Sequence, residues 1–160
     1  MNRTPSMNAS APLRRAAAVA VLTALAWCAP AQAQFNSVPA PETSGPPSAS
    51  AASVEKDYRV DAARHIYAAY PKRIYKGRLP PLLYSVMVVE TEIDAVGQVG
   101  NVHVVRKPAA DEVAPWVVAM IKRAAPYPAP ARLGPLRYTE IWLVDRSGRF
   151  QVDAITEGQR

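Results

Sequence analysis

Cysteine is almost absent from this 160-residue chain. The single one, Cys28, lies inside an apolar N-terminal stretch, which removes disulfides, thiolate metal sites and cysteine nucleophiles from everything downstream. Histidine is nearly as scarce. His65 and His103 are the only two, and neither has a serine–aspartate pair or a second ligand at a metal-binding spacing. Both read as solvated or interface side chains, one on a helix surface and one alternating outward on a strand. The seven glycines are scattered, so no phosphate-cradling loop is formed. No enzyme, cofactor or metal site is indicated. Acid is missing before Glu42, so the formal charge of +6 is misleading. Arg3, Arg14 and Arg15 supply half of it, and from position 34 onward 16 bases face 13 acids, leaving +3.

What is present at the N-terminus is a targeting pattern. Arg14 and Arg15 precede an apolar run at residues 16–27, and Ala31-Gln32-Ala33 follows as a small-x-small site. The run is about a dozen residues, against roughly 20 for a spanning helix. Residues 1–33 are therefore expected to be a cleaved secretory signal and the mature chain to begin at Gln34 in the periplasm; an inner-membrane anchor is the alternative. Residues 34–54 turn to Pro, Ala, Ser and Gly and are expected to form a mobile linker reaching roughly 60 Å if extended.

Residues 55–160 read as one α+β domain. Tyr58, Ala62, Ile66 and Ala69 recur at helical steps over 56–69, and Pro71 disfavours helix at Tyr70. Residues 82–93 and 99–106 alternate as an antiparallel hairpin around Gly97. Val113, Trp116, Val117, Met120 and Ile121 trace a second helix, with Pro115 in its first turn and Asp111 as candidate cap. Pro126, Pro128 and Pro130 stiffen a crossover around Tyr127. A third strand spans 136–144, with Tyr138, Trp142 and Val144 on one face, and 150–155 returns as a fourth. The expected architecture is a small antiparallel sheet with two helices packed on one face. Such a sheet has edges that accept a partner strand.

The order of elements and several local signatures resemble the C-terminal domain of TonB. Tyr70-Pro71 after the first helix, Ile93-Asp94-x-x-Gly97-x-Val99-x-x-Val102-x-Val104-Val105 around the first turn, and residues 116–125 followed by Pro126-Tyr127-Pro128-x-Pro130 carry the likeness. The resemblance implies a periplasmic protein-binding domain linked to TonB-dependent outer-membrane transport, whose partner peptide adds as a strand to the sheet. It implies a binding surface at Tyr70, Pro71 and the third strand, with Tyr138, Glu140 and Trp142; read from the strand alone, Tyr138 and Trp142 are core side chains. The returning arm at 150–155 is a candidate cover for that edge. Two departures stand out: residues 13–33 contain no histidine, where transducing members couple to a motor, and Tyr67 stands where the family carries a glutamine.

The expected partner is therefore a protein, an outer-membrane receptor or envelope component, with a membrane only if the signal is retained, with no nucleic acid, and with a homodimer left open. The alternative function is a structural or oligomerising envelope protein without peptide recognition. Two further features compete with these. Glu90, Glu92 and Asp94 share a strand face and read as solvated acids. Lys72, Arg73, Lys76 and Arg78 around Tyr75 read as a solvated connector, with an anionic headgroup or cell-wall contact as the other use.

Overall fold

A computed structural model describes residues 34–43 and 45–159. The expected signal segment and Cys28 lie outside the described residues. Helix α1 spans Glu55–Ala69; Glu55 and Asp57 in its first turn suit the positive end of the helix dipole. It buries Tyr58, Ala62, Ala63, Ile66 and Ala69. Pro71 ends it as expected: Tyr70 leaves helical geometry at φ −131°, ψ 53°, and Pro71–Arg73 form a single 3-10 turn.

Four strands follow: β1 (Ser85–Ile93), β2 (Val99–Arg106), β3 (Leu136–Val144) and β4 (Phe150–Val152), with helix α2 (Val113–Arg123) between β2 and β3. All pairings are antiparallel and the sheet order is β2-β1-β3-β4. The chain is therefore α+β. Met87, Val89 and Ile93 of β1, Tyr138 and Trp142 of β3, and the apolar stripes of both helices join one core. Ring pairs tie it together, with Tyr58 edge-on to Tyr138 at 5.8 Å and Trp142 against Phe150 at 4.7 Å.

The first hairpin turn depends on two residues. Asp94 Oδ1 accepts the N–H groups of Val96 and Gln98, and Gly97 adopts φ +88°. The Gly97 carbonyl then accepts the Tyr127 N–H at 2.7 Å, seating the proline crossover on the turn.

Four expectations are corrected. Residues 34–53 are not free: Phe35 is only 6% exposed, stacked on Tyr84 and edge-on to Trp116. Trp116 Nε1–H donates to the Ser37 carbonyl, Arg123 to that of Val38, and Ser50 pairs with the crossover at Ala129. Proline has already lowered the entropy this segment loses on ordering, so a few apolar anchors are enough to hold it. Strand β1 begins at Ser85 rather than at 82, because Pro80-Pro81 lead into an exposed loop. Asp111 does not cap α2; Glu112 occupies that position without a side-chain cap bond. Strand β4 stops at Val152, and Asp153–Ile155 turn as a 3-10 segment.

Candidate functional site

A sheet offers a partner its unpaired backbone, and this sheet has three places where such backbone can occur. Strand β2 pairs only with β1, but the ladder is broken by register shifts between Val88 and Val89 and between Thr91 and Ile93. Bulges of this kind twist an edge away from further pairing. On the other side, β4 is covered: Ile74 bridges Phe150 in parallel, and Tyr75 N–H donates to the Phe150 carbonyl at 2.9 Å.

The third place is the first half of β3. Strand β4 pairs with β3 only at Trp142, Leu143 and Val144. Because the Phe150 carbonyl is taken by Tyr75, Phe150 points away from β3, and Gln151 is the residue that exchanges hydrogen bonds with Leu143. Backbone direction alternates along a strand, so Ile141, Thr139 and Arg137 point the same way as Leu143. At Ile141 the role of the missing strand is taken by a side chain: Glu140 Oε1 accepts the Ile141 N–H at 2.9 Å. Beyond it, Thr139 and Arg137 have no strand neighbour on that side among the described residues, and both are exposed.

Glu140 marks where the covered half ends. Its Oε1 also accepts from Ala154 N–H and from Arg59, at 2.9 Å from Nη2, while Arg59 reaches Asp153 at 2.7 Å. Burial outweighs this pairing for the carboxyl, whose pKa is raised above the usual range. Arg59, bonded to two carboxylates and only partly buried, is held charged. The second oxygen, Glu140 Oε2, is buried with no hydrogen-bond partner. Leaving that oxygen buried without a partner carries an uncompensated desolvation cost, the same burial that raises the carboxyl's pKa.

Of the residues that the resemblance places at the binding surface, most lie in the core, as the strand reading has it for Tyr138 and Trp142. Tyr70 is 1% exposed, with its hydroxyl donating to the Met120 carbonyl at 2.9 Å. Tyr138, Glu140 and Trp142 face the core. Pro71 alone is exposed. The period-two alternation of β3 sends all of its even-numbered residues inward, so what the strand leaves outside is its backbone edge and the odd-numbered side chains. Glu140's position among Tyr138 and Trp142 signals its burial; its partner Arg59, 81 residues away, gives no such signal.

His65 also differs from expectation. Its Nε2–H donates to the Ala124 carbonyl at 2.7 Å and its ring lies 4.8 Å from Tyr127; burial lowers its pKa. His103 is exposed. Glu90 and Glu92 are bridged by Arg137 at 3.6 and 2.8 Å, and Asp94 is absorbed in its turn. Among the described residues no three His, Cys, Asp or Glu side chains converge as metal ligands, and no helix is long and apolar enough to cross a membrane. No family model, curated protein or solved structure matches this chain.

Proposed function

We propose that this is a non-enzymatic protein-binding domain of the cell envelope, resembling the TonB C-terminal domain, that takes an extended segment of a partner as an added strand along the first half of β3. The observation that supports the reading is the edge at Arg137 and Thr139, which has no strand neighbour among the described residues. Main-chain hydrogen bonds supply affinity in this mode, and neighbouring side chains supply selection. The segment that fits is short, about five residues, because Pro135 precedes the strand and β4 occupies its far end.

The test is a titration with extended peptides from the periplasm-facing N-termini of TonB-dependent receptors. Thr139→Pro removes an N–H that points to the open edge and is tolerated there by the fold. It is expected to abolish peptide binding while lowering stability by about 1 kcal/mol, a shift of a few degrees in Tm. Unchanged peptide binding by that variant contradicts the proposed edge.

A further inference from the structure

The basic loop at residues 72–78 is not used by the β3 edge, and the structure gives it neighbours that the sequence did not. It lies beside the β3–β4 turn. The Arg73 guanidinium rests against Gly148, Lys72, Lys76 and Arg149 line one groove of about 650 Å³ together with Pro71 and Tyr75, and Arg146 stacks over the Tyr84 ring at 5.1 Å. Two residues before Tyr84, on a loop stiffened by Pro80 and Pro81, Leu82 is 88% exposed.

Among the described residues none of Arg73, Lys76, Arg78, Arg146 and Arg149 lies within ion-pairing distance of an acid. Acids nearby are already engaged. Glu42 pairs with Lys72 at 3.3 Å, Glu112 accepts the Tyr84 hydroxyl, Asp145 closes its own turn, and Glu157 accepts the Gly77 N–H.

We propose that this end of the domain docks on an anionic phospholipid surface, with the unpaired cations against headgroup phosphates and Leu82 seated at the acyl boundary. Free cations alone would suit any polyanion. The exposed leucine on a stiff loop among them selects a bilayer, since neither a nucleic acid nor a soluble phosphate offers an apolar layer behind its charge. The proposal is independent of the β3 edge.

The test uses the full chain and vesicles of phosphatidylcholine with and without phosphatidylglycerol. Arg14 and Arg15 beside the apolar run at residues 16–27 also favour anionic vesicles, so the patch itself is read from the loss in a variant that keeps that run. Preference for the anionic vesicles, lost in high salt, is expected. Each cation near an anionic surface contributes about fivefold in affinity, so Lys76→Ser with Arg78→Ser is expected to weaken that binding about 25-fold. In a Cys28→Ser background, Leu82→Cys carrying an environment-sensitive fluorophore is expected to report an apolar surrounding on anionic vesicles only. Equal binding to both compositions, or no loss in the double variant, overturns the proposal. So does a fluorophore that stays in water while the vesicles bind.

Discussion

Gly97 combines two demands that no other residue type meets. Its φ of +88° is costly for an L side chain, and a Cβ there would collide with the Tyr127 backbone carbonyl. Gly97→Ala is expected to cost about 3 kcal/mol or more, read from the denaturant midpoint. Two titratable groups, Glu140 buried and His65 half-buried, give opposite pH signatures. Glu140 has its pKa raised by burial, so the folded state binds its proton more readily than the unfolded chain does. Its contribution is fully present below the ordinary carboxyl range and is lost as pH rises through the folded value. His65 has its pKa lowered by burial, so its contribution is present above the ordinary imidazole value and is lost as pH falls toward the folded one. In stability measured against pH, Glu140→Gln is expected to remove the first slope and His65→Gln the second. A profile unchanged by either substitution would refute the corresponding assignment.

At the scale of elements, the 34–53 segment behaves as part of the fold. Phe35 sits between Tyr84 and Trp116, and truncating it removes one of the few anchors the segment has. Phe35→Ala is expected to cost about 3 kcal/mol and to open the segment to proteolysis; no change in either would show the segment to be the free linker its composition suggests. The sequence made the periodic elements legible. The stripe Val113, Trp116, Val117, Met120 and Ile121 and the alternation of β1 and β3 were decisive because 3.6 and 2 are periods that a single window reveals. The packing of residues 34–53 is hidden from composition, which counts prolines and serines, whereas Phe35, Val38 and Ala52 act through where they land. The β3 surface is legible only in part: period-two alternation accounts for Tyr138 and Trp142 as core side chains, while the accessible part of the strand is main chain, which no side-chain pattern displays. Its openness follows from where β4 stops, and that is decided by Glu140, Arg59 and Ala154 meeting from distant parts of the chain.

The whole molecule has two different ends. Register places Ser85 beside Val144 at one end of the sheet and Ile93 beside Leu136 at the other. The unpaired cations and Leu82 gather toward the first, and the open edge at Arg137 and Thr139 lies toward the second, roughly 20 Å along β3. A domain standing on a bilayer by its basic end leaves the open edge free. Peptide affinity is therefore expected to be the same for vesicle-bound and free chain; a loss of peptide binding on vesicles would show that the two surfaces overlap.

Strand addition requires the first half of β3 to be an unpaired edge available to a partner strand. Amide hydrogen exchange along that strand, read residue by residue, tests it without a partner in hand. Leu143 pairs with Gln151 and Tyr138 faces β1, so both amides are expected to exchange slowly, whereas Thr139 and Arg137 are expected to exchange fast in the free chain and to slow when a receptor-derived peptide is added. Protection of Thr139 equal to that of Leu143 in the free chain would mean that the edge is already closed, and the strand-addition account would fall.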